Sequence, residues 1–384
     1  MRHTIMILRN TVLFAMAVTV TVMLIVQKIT YVPPEIVTNA NATVYKTAAA
    51  MGSKLSDYED FQELCTFTKQ GTYVIPGLRS TLVGLPEEAI ADKRCIDMVP
   101  QGVCATEEYI LVSAYCHKKQ HNSLIYVIDK ENHQYVKSIM LNGKAHVGGI
   151  AYDPEFQNIW VCFRSGHTSQ VGKFTLTALE KYYMSHKEDY LHFSSLYNLE
   201  EIAEASFITY HDKKLYIGLF SRSENSGGVV QTYRLNARGE LDTEHRGDGE
   251  EEPKDDSQKY ASPIHIAKIA DEVQGITFYK DKVLFAQSYG ARRSSHMLIY
   301  DYVGDDVDYS KEECMDMVMP NMLEQITADG DQLMMIFESC GRPYRFRCTY
   351  IIDRVCIMNM EELLELQESK LEKAEEEASA EIGA

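Results

Sequence analysis

An all-β chain wound from repeated antiparallel units is the fold class this 384-residue sequence predicts. Three observations predict it. First, five segments share one pattern: Gln101-Gly-Val-Cys-Ala-Thr-Glu-Glu-Tyr-Ile-Leu-Val-Ser, Gly149-Ile-Ala-Tyr-Asp-Pro-Glu-Phe-Gln-Asn-Ile-Trp-Val-Cys, Ser206-Phe-Ile-Thr-Tyr-His-Asp-Lys-Lys-Leu-Tyr-Ile-Gly, Gln274-Gly-Ile-Thr-Phe-Tyr-Lys-Asp-Lys-Val-Leu-Phe-Ala and Gln325-Ile-Thr-Ala-Asp-Gly-Asp-Gln-Leu-Met-Met-Ile-Phe. Each is an apolar strand, a polar turn of hairpin-closing residues, and a second apolar strand. Second, every unit continues through a loop into a third strand, such as Ser123-Leu-Ile-Tyr-Val-Ile-Asp or Ser295-His-Met-Leu-Ile-Tyr-Asp. At least the first unit adds a fourth, Val136-Lys-Ser-Ile-Met-Leu. Third, few helical stretches separate Gln70 from Met360, so no crossover helices are available for a parallel sheet. Four-stranded units recurring at roughly 40–70 residues are the blades of a β-propeller.

The expected architecture is a propeller of five to six four-stranded antiparallel blades over residues 61–360. All-β domains of this length form single units. The segment Thr72-Tyr-Val-Ile belongs either to a first blade or to the strand that closes the last one. Closure matters because an open ring leaves an unpaired edge.

Before the ring, residues 1–29 read as a signal-anchor. Arg2 and Arg9 precede an apolar run from Thr11 to Val26, and Lys28 follows it. Ile5 to Leu8 lengthen the run into a transmembrane helix, with Arg9 snorkelling to the interface. A cleaved signal is the alternative, in which case the protein is secreted. Either way the ring lies on the extracytoplasmic side of a single-pass cell-membrane protein, whose partner is its own membrane through residues 11–26. Residues 30–60, with Pro33-Pro34, read as a tether.

Net charge of -18 argues against nucleic acid as a partner. Much of the acidity is local. Residues 238–260 read as a disordered acidic insertion and residues 361–384 as a short, acidic C-terminal helix. Nine cysteines in an exported chain invite disulfides. Cys340–Cys348, Cys95–Cys104 and Cys65–Cys95 are candidate pairs, while Cys162 and Cys356 read as small core hydrophobes. No CxxC or Cys/His spacing reads as zinc, so no metal ligand is expected.

Chemistry in a propeller gathers at the channel mouth, reached from the starts of the innermost strands. Those starts carry Gln101, His146, Glu204, Gln274 and Glu324, one polar side chain per blade. Converging on an axis, they form a ligand site for a small molecule. His146 is either a general base or a ligand-binding residue. Arg292, Arg293, Arg342, Arg345 and Arg347 crowd two loops, as an anion site or as solvated charge.

Over Tyr73 to Met360 the strand pattern resembles YncE-like, lactonase-like and gluconolactonase/regucalcin-like propellers. Gluconolactonase-like enzymes hold a channel metal with Glu, Asn and Asp. Here the matching starts offer Gln101, His146 and Gln274, with carboxylates only at Glu204 and Glu324, so that resemblance supports a channel divalent metal weakly and no cofactor is expected. Gln274-Gly-Ile-Thr-Phe through Ala286-Gln-Ser-Tyr-Gly-Ala-Arg-Arg-Ser-Ser-His is similar to the Gln-Gly…Glu-Ser-x-Gly…Ser-Ser stretch of propeller-type glutaminyl cyclases. That family uses the Glu as catalytic acid/base beside pocket tryptophans. The Glu position falls here on Gln287; the nearest carboxylate is Glu338, in Phe337-Glu338-Ser339, and Trp160 is the sole tryptophan. The sequence therefore leads to a binding or interaction scaffold for a protein, cell-wall or small-molecule partner. A lactonase-like or glutaminyl-cyclase-like enzyme using His146, Glu324 or Glu338 is the alternative.

Overall fold

A computed structural model describes residues 10–23, 44–83, 94–166, 168–183, 190–222, 227–243 and 259–382. Residues 10–23 form a helix in a unit of their own that ends at Val37. No helix among the described residues is long and apolar enough to cross a membrane. The rest of the expected transmembrane segment, residues 1–9 and 24–29, lies outside the described residues.

The second unit is the ring. Its strands in chain order begin with β1 (Thr72–Val74), β2 (Thr81–Leu82) and β3 (Arg94–Cys95). The first blade is β4 (Met98–Ala105), β5 (Tyr109–Cys116), β6 (Leu124–Asp129) and β7 (Tyr135–Met140). The second is β8 (Val147–Asp153), β9 (Asn158–Ser165), β10 (Thr168–Thr175) and β11 (Ser195–Leu199). β12 (Phe207–His211), β13 (Lys214–Leu219) and β14 (Gly228–Arg234) open the third blade. It skips β15 (Lys259–Ala261) and finishes with β16 (His265–Ile269). The fourth blade is β17 (Val273–Tyr279), β18 (Lys282–Gln287), β19 (Ser295–Asp301) and β20 (Met315–Met319). β21 (Leu323–Asp329), β22 (Gln332–Phe337) and β23 (Arg354–Asn359) make the fifth, and β1 adds its outermost strand, pairing Thr72 with Cys356. Of the two readings of Thr72-Tyr-Val-Ile, ring closure is the one the chain adopts. The described residues form five blades.

Burial explains why these sequences suit these places. A second strand such as β5 is flanked by neighbouring blades on both faces and is buried almost throughout, hence its run Ile110-Leu-Val-Ser-Ala-Tyr-Cys. Outer strands β16 and β20 alternate, burying every second residue. In the third blade, His211 and Lys214 pair across Asp212-Lys213, and both loop residues have positive φ (46° and 59°). That is the primed two-residue turn whose twist matches a hairpin.

Several sequence expectations need correction. The tether of residues 30–60 is docked from residue 44 onward. α1 (Ala48–Gly52), α2 (Glu59–Leu64) and the turn between them bury Met51, Phe61 and Leu55 in the same core cluster as Phe337, Met358 and Leu363. Asp353 accepts hydrogen bonds from the Val44 and Tyr45 amides at 3.0 and 2.6 Å, fixing the approach. The ends of the insertion at 238–260 are ordered as well. Glu240 takes Lys173 as an ion-pair partner and Ser195 as a donor, and β15 extends the second blade beside β11. Residues 244–258 lie outside the described residues. A short helix, α3 (Leu176–Lys181), follows β10, and α4 (Arg342–Arg345) follows β22. The C-terminal helix α5 (Met360–Ile382) is rooted by buried Met360 and Leu363 and by Lys370 against Asp60 at 2.5 Å. None of the proposed disulfides forms, for all nine cysteines are free thiols. Cys340 instead turns its thiol to the Phe337 carbonyl.

At the axis, β4, β8, β12, β17 and β21 pack in a closed cycle of neighbours. Gln325, on β21, ties three blades together there. Its amide nitrogen donates to the Val103 and Ile150 carbonyls at 2.9 and 2.7 Å, and its oxygen accepts from the Ile150 amide at 2.9 Å. The approach is so close that a Cβ on Gly102 or Gly149 would sit 2.6 or 2.8 Å from that oxygen. Substituting Gln325→Leu leaves these buried backbone groups unpaired, so it should lower the free energy of unfolding in urea by roughly 3 kcal/mol or more. A loss under about 0.5 kcal/mol would show that the axial amide is dispensable.

Candidate functional site

Four of the five innermost strands begin with a register shift. The interruption falls between Pro100 and Gly102, Val147 and Ile150, Val273 and Gly275, and Leu323 and Ile326. The residues left out of the ladder are Gln101, Gly148-Gly149, Gln274 and Glu324-Gln325. A bulge re-aims the extra side chain, and here it turns Gln101, Gln274 and Glu324 into the channel. A following glycine at positions 102 and 275 lets the adjacent backbones close up behind them.

The result is a cavity of about 470 Å³ at one end of the axis. Gln101, His146, Glu204, Gln274 and Glu324, the five residues expected at the strand starts, all line it, and so does Glu338. Glu338 arrives from the turn Glu338–Cys340 that follows β22, its amide held by the Met322 carbonyl at 2.9 Å. Its carboxylate meets that of Glu324 at the buried end of the cavity.

These groups form one hydrogen-bonded chain. The Gln101 side-chain nitrogen donates to the Pro100 carbonyl at 2.9 Å and to Glu338 Oε1. Its oxygen is therefore the acceptor facing His146 Nε2, 2.6 Å away. That assigns the His146 proton to Nε2. From the other side Gln274 Nε2 donates to Glu324 Oε1 at 3.3 Å. His146 also stacks on Tyr115, ring centroids 3.8 Å apart, and the Tyr115 hydroxyl lies 3.4 Å from that of Tyr344. At the rim Arg164 pairs with Glu204 at 3.4 Å, and Arg222 lies over the Phe220 and Tyr289 rings.

Electrostatics give the carboxyl pair its character. Burial raises the pKa of Glu324 well above the ordinary carboxylate value, and repulsion from Glu338 adds to it. Burial likewise raises Glu338, to about 7, against the opposing help of its Gln101 and Glu324 hydrogen bonds. Two carboxyls this close hold one proton between them near neutrality. His146 moves the other way, down to about 4, through burial first and then the nearby Lys119 and His117. The packing of Tyr115 and Gln101 against its ring supplies that burial, although the residue keeps exposed surface where it lines the cavity. It is a neutral imidazole at physiological pH, with no direct bond to a carboxylate.

Sequence reasoning missed Tyr344, Arg164, Arg222 and Phe220 as lining residues, and Tyr115 as the ring behind His146. Tyr344 stands in the Gly-Arg-Pro-Tyr-Arg loop whose arginines drew attention instead. Three of the five arginines singled out from the sequence are spent structurally. Arg345 donates to the Cys340 and Leu78 carbonyls at 3.0 and 2.6 Å, Arg342 pairs with Asp97 at 3.1 Å, and Arg293 clasps Glu272 at 3.2 Å. Gln287, at the position where the cyclases carry glutamate, donates to the Asp271 carbonyl at 2.8 Å and does not line the cavity. Trp160 is fully buried in a core cluster beside Tyr197 and builds no pocket wall.

No family model matches the chain, and no curated protein does. Similar solved structures include glutaminyl cyclase of Myxococcus xanthus, at 10% identity and TM-score 0.39, covering 68% of this chain and 90% of that one. A nidogen/laminin complex aligns at 9% identity and TM-score 0.35, covering 63% and 73%. TolB of Acinetobacter baumannii aligns at 14% identity and TM-score 0.30, covering 54% and 41%. These alignments carry no argument about chemistry. The assignment as a β-propeller stands on the strand order and ring closure described above.

The raised carboxyls make a prediction about stability. A carboxyl whose folded pKa exceeds its unfolded one stabilises the fold below the unfolded value and loses that contribution as pH rises through the folded value. Glu324→Gln removes the like charge, so the variant should be more stable than the parent at pH 8, by on the order of 2 kcal/mol. The gain should vanish near pH 5. Thermal unfolding followed by circular dichroism at both pH values reads this directly; an equal effect at both would contradict proton sharing.

Proposed function

We propose that this propeller is a binding protein for a small polar ligand carrying a cationic amine, seated in the axial cavity with the Glu324–Glu338 pair as its anchor. The observation that carries the reading is the placement of two repelling, buried carboxyls at the end of a 470 Å³ cavity. Burying like charges without a partner opposes folding, and an ammonium group resolves the conflict by replacing the shared proton. The Gln101 and Gln274 amides, already donating to the carboxylates, fix their orientation. Phe220 and Tyr344 supply apolar surface for the rest of the ligand.

A second reading is favoured by one specific property. The Glu338 carboxyl, with a pKa near 7, is matched to general acid/base work at neutral pH. In that case the protein is a hydrolase or cyclase of lactonase-like or glutaminyl-cyclase-like type. Glu338 would pass the proton, Glu324 would set its pKa, and neutral His146 would accept a hydrogen bond through Nδ1.

The proposal extends to location. The basic flank of Arg2 and Arg9 and the apolar run of residues 11–26 support export with the N-terminus kept at the membrane, either as an anchor or as a leader later removed. Whether the expressed full chain stays with membranes after alkaline extraction distinguishes the two. A protein or cell-wall partner would then meet the cavity face from outside the cell.

Calorimetric titration with α,ω-diamines, amino sugars and peptides with an N-terminal glutamine tests the function. Binding of an amine should tighten from pH 5.5 to pH 8, because the cation displaces a proton. Glu338→Gln should weaken it by roughly tenfold or more. Turnover of a lactone or a glutaminyl peptide that disappears in Glu338→Gln would select the enzyme reading. Amine affinity indifferent to both pH and Glu338 would overturn the anchor.

A further inference from the structure

Away from the cavity, Cys95, Cys116 and His121 come together although sequence spacing does not announce them. Cys95 ends β3, Cys116 ends β5, and His121 lies in the loop between β5 and β6. One ligand atom from each lies within 4.8 Å of both others, and Cys116 Sγ is 3.7 Å from His121 Nδ1. Both sulfurs are buried and the imidazole is partly exposed.

We propose that Cys95, Cys116 and His121 bind a borderline or soft metal cation, with Zn²⁺ as the natural occupant. Bonds of about 2.3 Å to sulfur and 2.0–2.1 Å to nitrogen, held at a tetrahedral angle, place the two donor atoms about 3.6 Å apart. The Cys116–His121 separation already has that value. Two thiolates and a neutral imidazole cancel the charge of Zn²⁺, so the buried site is neutral when filled. Binding sends the two thiol protons to solvent, and the metal accepts electron pairs from both sulfurs and from His121 Nδ1. Three protein ligands leave a fourth position for water or an exogenous ligand.

The position gives such a metal structural consequences. β2 and β3 make a two-stranded sheet outside the blades, joined to each other by only two residue pairs. A sheet of that size is marginal alone. A metal held by Cys95 and Cys116 cross-links it to the first blade. Through His121 it also orders the loop bearing His117, whose ring packs edge-on to Tyr344 at 5.7 Å on the cavity wall.

The test uses the purified full chain, kept reduced, with Zn²⁺ and Co²⁺ as probes. One equivalent of Zn²⁺ should bind in competition with a chromophoric chelator. Co²⁺ in its place should show thiolate-to-metal charge transfer and tetrahedral d–d absorption. Replacing a residue that only hydrogen-bonds a metal ligand lowers metal affinity roughly 10- to 100-fold, so His121→Ala should weaken Zn²⁺ by at least roughly tenfold. His121 stands in a loop, and an unchanged circular dichroism spectrum shows that this variant folds. Cys116→Ser should abolish the cobalt charge-transfer band. The proposal is overturned if less than one equivalent binds, if cobalt shows no thiolate band, or if His121→Ala binds Zn²⁺ as the parent does. It is also overturned if mass analysis of protein isolated without reductant finds Cys95 and Cys116 joined as a disulfide.

Discussion

The Gln325 amide at the axis is the constraint from which the site follows. It is buried, and its three hydrogen bonds reach the backbones of β4 and β8 from β21. Holding three inner strands against one side chain leaves no room for a Cβ at Gly102 or Gly149. It also forces the ladder out of register where Gln325 itself leaves the strand. Other ties reinforce the ring. The Ser113 hydroxyl donates to the Gly148 carbonyl at 2.8 Å while accepting from the Gly102 amide at 2.9 Å, and the Gly149 amide donates to the Ser206 carbonyl at 3.0 Å. Closure of the outer edge by β1 then fixes the blade count at the periphery.

The same bulges that tighten the axis aim polar side chains into the channel above it. Packing and chemistry therefore share one device. Gln325 faces down into backbone and Glu324, its neighbour, faces the cavity. The pair of Glu324 with Glu338 opposes folding near neutral pH, since each raised carboxyl ionises less readily in the native state than in the unfolded chain. A buried like-charge pair in a cavity is a functional-site signature because structure alone gains nothing from it. His146, pushed the opposite way, remains a neutral member of the same chain through Gln101. The separation of these titrations allows the cavity to change charge near pH 7 without charging its histidine.

Much of this was legible in local sequence. The hairpins showed themselves through short-range alternation and turn residues, as at Asp212-Lys213, and the strand starts carrying Gln101, His146, Glu204, Gln274 and Glu324 do share one cavity. What failed was long-range. Phe61 looks like part of a tether until Phe337, far along the chain, packs edge-on to it at 5.9 Å. Arg345 looks like a free cation until the Leu78 carbonyl is seen to hold it. Tyr344 needed two different blades to be brought together, its hydroxyl meeting that of Tyr115, before it became a wall. Cys95, Cys116 and His121 escaped for the same reason, since β3 is placed by a pairing with Thr81 rather than by its distance from Cys116 along the chain.

Whether Glu324 and Glu338 share a proton is the question nearest to all of this, and infrared difference spectroscopy between pH 6 and pH 9 reads it without any ligand. A carboxylic-acid carbonyl band present at pH 6, lost toward pH 9, and altered in frequency or midpoint by both Glu324→Gln and Glu338→Gln is the expected result. A parent spectrum with both groups already ionised at pH 6, or a band whose frequency and midpoint are the same in the parent and both variants, would contradict it.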